Sequence, residues 1–495
     1  MSSEKQSLKE IINFRLQKLE KLRESGIDPF PHNFKTSNYS SELKNNFKIY
    51  DNKDVVVAGR IMAVRKMGKA SFFHLEDAEG RIQIYIKKDD VGDPQYDQFK
   101  LLDIGDFIGV KGFVFKTKTK EISVHAKSIS VLAKSIRPLP IVKEKDGETF
   151  DSFDDKEQRY RNRHLDLILN PEVKEVFKKR AIITSALRSF LDNEGFLEVE
   201  TPVLQPLYGG ANARPFQTHH NSLDQTFYLR IADELYLKRL IIGGIDKVYE
   251  LSKDFRNEGM DRNHNPEFTM LEWYEAYSDY KDQMNRVEDI VRYAAKSIDK
   301  INVKWGDISI DLGKKFDRKP YLELLKDATG KDLLDADEKD LRAICKENKI
   351  EISNKENYGQ LLDELMRRLV EPNLTQPVFV IDHPREISPL AKSHRSGEVK
   401  LVERFELFIG GAEFANSFTE LNDPLDQRKR LENQAKLREK GDDEAQPIDE
   451  NFIEAMECGM PPTGGVGLGV DRLVMLLTDN RSIRDVLLFP AMRNN

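Results

Sequence analysis

Within residues 250–277, a guanidinium, a carboxylate and an aromatic ring are spaced so that one predicted hairpin could offer all three to a single ligand. Arg256 and Glu258 follow the first strand, and Phe268 lies on the returning strand after a turn. Arginine is a forked, permanently charged donor that suits phosphate or carboxylate oxygens, and a phenylalanine ring can stack on a purine. An Arg-x-Glu pair on a strand is also commonly a surface ion pair, so the hairpin alone does not decide between a ligand site and a salt bridge.

A glycine-rich strand near the end of the sequence is a second candidate site. Glycines stand at positions 464, 465, 467 and 469, and Asp471 and Arg472 follow at the start of a predicted helix. Glycine leaves room for a ligand close to the backbone. Such runs also occur in loops and at helix junctions, so this one is weak evidence by itself.

The elements that must position these residues fall into two predicted folds. Residues 54–134 contain about five short alternating segments separated by turns, which favours a small closed barrel of the oligonucleotide-binding type. A barrel without any nucleic-acid role is the alternative. From Arg159 onward, helices and strands mix without a regular strand-helix alternation, which favours an antiparallel sheet over a doubly wound parallel one.

We therefore predict an α+β chain with a helical extension at residues 1–50, an OB-type barrel at 51–145 and a larger domain at 150–495, a sheet flanked by helices. The proline-containing segment 137–151 predicts the linker between them. The Lys/Glu-rich stretch at about 280–375 has helical periodicity and predicts a helical insertion. An amphipathic helix with a basic face over the first 25 residues is predicted from Leu8, Ile12, Leu16 and Leu19.

The composition favours a soluble globular protein, with 39% hydrophobic and 33% charged residues among 495. The net charge of −7 does not settle nucleic-acid binding, which depends on local patches. Cys345 and Cys458 lie far apart and match no disulfide or metal spacing, which favours a reducing compartment. With no secretory-type start and no long apolar run, we expect a cytoplasmic protein that does not cross a membrane.

Three ordered segments resemble the class II aminoacyl-tRNA synthetases. Phe255–Glu258 with His264–Phe268 is similar to motif 2, the glycine-rich strand with Arg472 to motif 3, and residues 186–204 to motif 1, which forms the family's dimer interface. Several stretches resemble the lysyl-tRNA synthetases in particular, namely YGGANARPF, THHNSLDQTFYLRIADELYLKRLIIGG, HNPEFTMLEWYEAYSDY, RFELFIGGAEFANSFTELNDP and LFPAMR. The barrel matches the anticodon-binding domain that this family shares with the aspartyl and asparaginyl enzymes.

The resemblance implies an enzyme that uses ATP and Mg²⁺ to activate L-lysine as lysyl-adenylate and loads it onto tRNA(Lys), acting as a homodimer. The residues implied to bind lysine are Gly210, Glu234, Arg256, Glu272, Tyr274, Asn416, Phe418 and Glu420. Those implied to bind ATP are Arg256, Glu258, His264, Phe268, Glu406 and Arg472, and the catalytic set is Arg256, Glu258, Asn416 and Arg472. Glu406 and Glu413 match the Mg²⁺ ligands, and Arg65, Phe72 and Gln83 match the anticodon-reading positions.

Lysine carries two ammonium groups and one carboxylate, so its pocket needs two anionic sites and one cationic site. By resemblance, Glu234 and the Gly210 carbonyl hold the α-ammonium, Arg256 meets the carboxylate, and Glu420 with Tyr274 holds the side-chain ammonium. Burying that charge is unfavourable unless it is paired and hydrogen-bonded.

Two of these assignments require a specific local geometry. Glu406 and Glu413 are seven positions apart and would lie on opposite faces of one strand, so a turn or bulge at Gly410 and Gly411 must bring them together. Phe72 has an aromatic neighbour in sequence, and only one of two adjacent strand residues can face outward, so a core position is its alternative.

Three other functions remain as alternatives at this point. An aspartyl or asparaginyl synthetase would need cations where Glu234 and Glu420 stand. A non-catalytic RNA-binding relative would gain nothing from Arg256, Arg472 and the paired glutamates. A ligase that lysylates a protein would lack the barrel.

Overall fold

The computed structural model describes residues 2–140, 143–145, 148–150, 153–353, 356–439 and 446–493. Residue contacts divide the chain into two units, Met1–Asp154 and Asp155–Asn495. The predicted linker at 137–151 lies partly outside the described residues, and within it the backbone of Lys143–Lys145 pairs antiparallel with Glu148–Phe150. None of the described helices has the length and apolar character needed to cross a membrane.

The first unit is a closed five-stranded barrel in the order β1-β2-β3-β5-β4, as predicted. Val55, Val57, Ile82 and Ile84 alternate with outward-facing residues, so every second side chain fills the barrel interior. The elements of this unit are α1 (Ser2–Glu24), α2 (Ser40–Asn45), α3 (Phe47–Tyr50), β1 (Asp54–Met67), β2 (Ala70–Glu76), β3 (Arg81–Lys87), α4 (Lys88–Val91), α5 (Asp93–Lys100), β4 (Phe107–Lys116), β5 (Ile122–Ala133), β6 (Lys143–Lys145) and β7 (Glu148–Phe150).

Helix α1 forms as predicted, but the predicted apolar face was partly wrong. Leu19 and Leu22 are buried, whereas Leu16 is 40% exposed and Arg15 takes a buried position instead. The Arg15 guanidinium donates to the backbone carbonyls of Ser135 and Ile104, each at 3.0 Å. These hydrogen bonds satisfy the charged group inside the unit, which hydrophobic periodicity alone does not reveal.

The second unit is built on an eight-stranded sheet in the order β16-β17-β18-β19-β20-β13-β12-β8. Its pairs are antiparallel apart from β16 with β17 and β12 with β8, which confirms the predicted α+β class. The described elements are α6 (Lys156–Arg161), α7 (Arg163–Leu169), α8 (Pro171–Asn193), β8 (Leu197–Glu198), β9 (Leu204–Gln205), β10 (Gln217–His220), β11 (Gln225–Leu229), α9 (Glu234–Ile242), β12 (Lys247–Phe255), β13 (Glu267–Ala276), α10 (Tyr280–Lys296), β14 (Asn302–Trp305), β15 (Ile308–Asp311), β16 (Asp317–Pro320), α11 (Tyr321–Thr329), α12 (Glu338–Glu347), α13 (Tyr358–Leu365), a π-turn (Met366–Val370), two 3₁₀ turns (Glu371–Asn373 and Arg385–Ile387), β17 (Val378–Ile381), β18 (Arg404–Ile409), β19 (Ala412–Thr419), α14 (Pro424–Glu439), α15 (Glu450–Glu457), β20 (Thr463–Gly469), α16 (Val470–Leu477) and α17 (Ile483–Val486).

The main core lies between this sheet and three helices. Leu187 of α8, Val287 of α10 and Leu473 of α16 are fully buried against Trp273 and Leu468 on the central strands. Large apolar side chains on facing elements therefore hold the central strands rigidly in place.

The prediction of a helical insertion at 280–375 was wrong for about its first forty residues. Helix α10 packs into the main core, and residues 302–320 form strands β14, β15 and β16 rather than helix. The helical part with its own buried cluster begins at α11, where Leu325, Leu341 and Leu361 are buried together. Short strands such as NVKW and ISID alternate over only four residues each, too few to outweigh a charged helical pattern.

Candidate active site

One cavity of about 430 Å³ in the second unit gathers every residue that the sequence assigned to lysine, ATP or Mg²⁺. Strands β13, β19 and β20 form its floor, and the start of α9 and the β12–β13 turn form its walls. The predicted residues that line it are Gly210, Glu234, Arg256, Glu258, His264, Phe268, Glu272, Tyr274, Glu406, Glu413, Asn416, Phe418, Glu420 and Arg472.

The glycine-rich strand β20 makes room for this cavity. It pairs with β13, placing Gly465 opposite Tyr274 and Gly467 opposite Glu272. A Cβ atom on Gly465 would lie 2.2 Å from Glu420 Oε1 and 2.3 Å from Tyr274 Cε1. Any larger residue at this position would therefore displace the side chains that form one end of the cavity.

That end of the cavity is lined by buried carboxylates. Glu234 and Glu420 are 4% and 1% exposed, and Glu420 Oε1 has no hydrogen-bond partner among the described residues. Burial raises the pKa of Glu420 to about 8, although the ammonium of Lys238 opposes the rise. Tyr274 donates a 3.2 Å hydrogen bond to Glu272 Oε2. A buried carboxylate oxygen without a hydrogen-bond partner is typical of a site that binds a cation.

A second acidic group lies beside this end of the cavity. Carboxylate oxygens of Asp233, Asp254 and Glu272 come within 4.8 Å of one another, all in buried residues. Arg230 forms ion pairs with Asp233 at 3.0 Å and with Glu250 at 2.7 Å. Burial raises the pKa of Asp254 to about 6, and burial together with Asp233 and Asp254 raises that of Glu272 well above its usual value. Because Arg230 already supplies a cation here, and Asp233 and Asp254 do not line the cavity, we assign no metal to this group.

The other end of the cavity carries the cations. The Arg256 guanidinium lies 5.0 Å from the ring centroid of Phe268, and Glu258 borders the cavity in an exposed position. Arg472 donates to the Glu413 carbonyl at 2.6 Å, and its Nη2 lies 3.3 Å from His264 Nε2. Guanidinium groups beside an aromatic face suit a nucleotide, because its phosphates bind cations and its base stacks on an aromatic ring.

Glu406 and Glu413 reach the cavity through the geometry that the sequence required. Gly410 and Gly411 form the β18–β19 turn with φ of 61° and 77°, and the pairing of the two strands has a bulge at Leu407 and Phe408, before the turn. The predicted turn at Gly410 and Gly411 is thus confirmed. A Cβ atom on Gly410 would lie 2.2 Å from Trp305 Cδ1, so the turn requires glycine for space as well as for conformation.

The residues around this hairpin fit a divalent cation. Glu406 accepts hydrogen bonds from Arg404 at 2.5 Å and from Asn416 at 3.2 Å. Burial and the charges of Glu406 and Glu413 raise the pKa of the nearby Glu371 to about 7. An excess of carboxylate oxygens in one region is the donor set that Mg²⁺ prefers.

Sequence reasoning missed three residues at this site. Arg404 binds Glu406 and Asn416, Gln446 accepts a 3.1 Å hydrogen bond from the Gly210 amide, and Lys238 lies behind the carboxylates. The spacing of Lys238 four residues after Glu234 was a usable signal, since such pairs share a helix face. Gln446 carried no comparable signal, because its partner is 236 positions away.

The three predicted anticodon residues lie on neighbouring strands of the barrel. Arg65 pairs with Phe72 across β1 and β2, and β3 carries Gln83 beside them. Phe73 is buried and Phe72 is only partly buried, so Phe72 faces outward and its core alternative is excluded. Phe72 lies 4.9 Å from the Tyr85 ring, and Gln83 accepts a 2.8 Å hydrogen bond from Ser123.

Comparison with known proteins finds a matching family for each of the two units. The family described as tRNA synthetases class II (D, K and N) matches residues 155–493, and an OB-fold nucleic acid binding domain matches residues 55–132. A lysine--tRNA ligase of Porphyromonas gingivalis is 52% identical over 97% of this chain and 85% of the relative. One of Staphylococcus epidermidis is 51% identical over 97% of each chain. The chain therefore belongs to the class II aminoacyl-tRNA synthetases, in the family of the lysine--tRNA ligases.

Proposed function

We propose that the cavity activates L-lysine with ATP, and that the chain then transfers the lysyl group to the 3′ end of tRNA(Lys) with release of AMP. The observation that carries the proposal is the pair of buried glutamates, Glu234 and Glu420, in a cavity that Arg256 and Arg472 also line. A substrate with two separated ammonium groups and a carboxylate matches that distribution of charge. Aspartate or asparagine would leave Glu420 unpaired or repelled.

Each charged group of lysine has a counterpart in this proposal. Glu234 and the Gly210 carbonyl hold the α-ammonium, and Arg256 binds the carboxylate. Glu420 and Tyr274 hold the side-chain ammonium, with Glu272, Asn416 and Phe418 completing the walls. The unpartnered oxygen of Glu420 supports this placement, because a bound ammonium supplies the cation that the buried oxygen lacks.

In the proposed activation step, a lysine carboxylate oxygen forms a bond to the α-phosphorus of ATP, and the bond from that phosphorus to pyrophosphate breaks. Arg256 stabilises the α-phosphate and Arg472 the γ-phosphate, while Phe268, Glu258 and His264 receive the nucleotide. Glu406 and Glu413 would hold Mg²⁺, whose charge neutralises the phosphate oxygens. No protein nucleophile is needed, since alignment and charge stabilisation act on two bound substrates.

In the second proposed step, a ribose hydroxyl of the tRNA attacks the adenylate carbonyl and AMP leaves. We assign residues 51–145 to anticodon binding through Arg65, Phe72 and Gln83, and residues 150–495 to catalysis. A partly exposed aromatic ring, with a guanidinium and an amide on the neighbouring strands, suits unstacked RNA bases. The free thiols Cys345 and Cys458 fit our assignment of the chain to the cytoplasm.

We also propose that the chain forms a homodimer through the motif 1 region. Within this region Leu197 on β8 and Leu204 on β9 are 53% and 47% exposed, and Ile182 on α8, just before it, is 46% exposed. Exposed apolar residues concentrated in one segment are typical of a subunit interface.

The test is amino-acid-dependent ATP–pyrophosphate exchange with Mg²⁺, run with each proteinogenic amino acid and repeated with Glu420→Gln. We expect exchange with lysine, and a loss of about a hundredfold or more in the variant, because removing one partner of a buried ion pair costs about 3–5 kcal/mol. Glu288→Gln is the matched control, since Glu288 is also buried but does not line the cavity. Exchange with aspartate or asparagine would overturn the lysine assignment, and no exchange with any amino acid would overturn catalysis.

A further inference from the structure

Lys238 is a fully buried lysine that joins the two glutamates of the lysine pocket. Its Nζ lies 2.5 Å from Glu234 Oε1 and contacts Glu420 Oε2, and both it and Glu420 have side chains with no exposed surface. Glu234 and Lys238 are four residues apart on α9, whereas Glu420 comes from the end of β19. One ammonium therefore ties the helix to the strand at the place where both contribute to the cavity.

Lys238 approaches from behind the pocket wall and leaves one oxygen of each glutamate free. Lys238 itself does not line the cavity, although both of its partners do. Glu234 Oε2 lies 3.7 Å from the Cβ position of Gly210, and Glu420 Oε1 lies 2.2 Å from that of Gly465, and both glycines line the cavity. Each carboxylate thus gives one oxygen to Lys238 and turns the other toward the substrate.

We propose that Lys238 is a positioning residue for lysine selection, which favours the ionised form of Glu234 and Glu420 and directs one oxygen of each at the two ammonium groups of the substrate. The inference rests on the proposed function and extends it to a residue that does not touch the substrate. Without Lys238, two buried carboxylates would face each other with no cation in direct contact, and the ordinary response is for one of them to take up a proton. A protonated Glu420 would lose its attraction for an ammonium group.

The charges on every side of this pair are consistent with that role. Glu420 is faced by Lys238 and Glu234 on α9 and by Tyr274 on β13, which donates a hydrogen bond to Glu272, and Arg404 on β18 acts on Glu234. Burial lowers the pKa of Lys238, but the two glutamates outweigh it and hold that pKa above its usual value. Lys238 is the one cation in direct contact with Glu420 among the described residues.

The test compares wild type, Lys238→Met and Lys238→Gln in lysine-dependent ATP–pyrophosphate exchange across a range of pH. Because Glu420 must be ionised to bind an ammonium, we expect Lys238→Met to raise the KM for lysine about tenfold or more at about pH 7.5. The excess should persist to about pH 9, because without Lys238 the pKa of Glu420 lies further above its wild-type value of about 8, whereas the lysine ammonium, with its pKa of about 10.4, is still charged. The kcat and the KM for ATP should change by less than about threefold, because nucleotide contacts are retained.

Lys238→Gln separates charge from hydrogen bonding, because glutamine donates hydrogen bonds but carries no charge. It should keep the raised KM for lysine, and it supplies the same comparison should the methionine variant not fold. Lys134→Met is the matched control: Lys134 is equally buried, lies 2.5 Å from Asp103 and 2.8 Å from Asp106, and belongs to the barrel. Its removal should leave the KM for lysine unchanged.

Two results would overturn the proposal. The first is a Lys238→Met enzyme with the wild-type KM for lysine, and the second is a glutamine variant that restores that KM at every pH. A wild-type protein inactive with lysine would instead refute the proposed function, and this inference would fall with it.

Discussion

Individual carboxylates set the chemistry of the cavity, and Glu420 is the clearest case. It is nearly inaccessible, one of its oxygens has no hydrogen-bond partner among the described residues, and burial raises its pKa to about 8. Such a group destabilises the ligand-free protein whenever it is ionised. Selectivity for a cationic side chain and reduced stability therefore arise from the same residue, as is common at functional sites.

We expect the destabilising effect of ionised Glu420 to appear as a pH-dependent difference in the free energy of unfolding between wild type and Glu420→Gln. The folded pKa of about 8 lies above the unfolded value of about 4.3, so the folded state binds more protons between them. The contribution of Glu420 to the free energy of unfolding is fully present below the lower pKa. It is lost as the pH rises through the higher one, with a slope of up to about 1.4 kcal/mol per pH unit. Glutamine has no such slope.

Urea unfolding of both proteins from about pH 5 to about pH 8 measures the effect. The free energy of unfolding of the variant should rise relative to wild type as the pH increases. Saturating lysine should flatten the wild-type slope, because a bound ammonium keeps Glu420 ionised. Equal slopes for the two proteins without lysine would show that Glu420 is ionised throughout and that its pKa is not raised.

At the scale of elements, the barrel presents its candidate RNA-binding residues through strand pairing. The alternation of β2 buries Phe73 and turns Phe72 outward, and the pairing of β1 with β2 places Arg65 beside it. A one-residue shift in register would exchange the two phenylalanines, so the barrel interior fixes which ring is available.

We predict that Phe72→Ala raises the KM for tRNA in aminoacylation by about tenfold to a hundredfold, since stacking contributes about 1–3 kcal/mol per base. Lysine-dependent ATP–pyrophosphate exchange should be unchanged, because activation requires no tRNA. Phe107→Ala is the control: Phe107 is a phenylalanine of the barrel that is 36% exposed, and the Arg60 guanidinium lies 4.2 Å from the centroid of its ring. Equal effects of the two substitutions on the KM for tRNA would argue against a specific role for Phe72.

The sequence predicted those elements whose residues repeat a clear pattern. The five barrel strands alternate regularly, and the β18–β19 turn follows from two glycines between two carboxylates. Arg15 and Lys238 were missed because a charged residue on a helix is usually exposed, and only tertiary partners reveal that these two are buried. Residues 302–320 were assigned to helix because their strands are too short to show a period of two.

At the scale of the whole molecule, the cavity depends on the helix that we propose as the subunit interface. Arg180 on α8 forms a 2.6 Å ion pair with Asp471, and Asp471 accepts a 2.7 Å hydrogen bond from the Thr269 amide. Thr269 follows Phe268, and Asp471 precedes Arg472. Helix α8 therefore contacts, through Asp471, the backbone next to both of these residues. A displacement of α8 would therefore move two residues that are assigned to ATP.

This connection predicts that breaking the dimer also reduces activation. Leu204→Glu places a charge on the exposed apolar side of β9, in the segment that we propose as the interface, and a stable interface of about 800 Å² per partner tolerates a buried unpaired charge poorly. Light scattering should show a monomer, and lysine-dependent exchange should fall about tenfold or more, because α8 loses the partner that steadies it. Leu425→Glu, at a more exposed leucine on α14, should change neither mass nor rate. A monomeric Leu204→Glu protein with full exchange activity would show that one subunit holds α8 in place by itself, and a dimeric one would place the interface elsewhere.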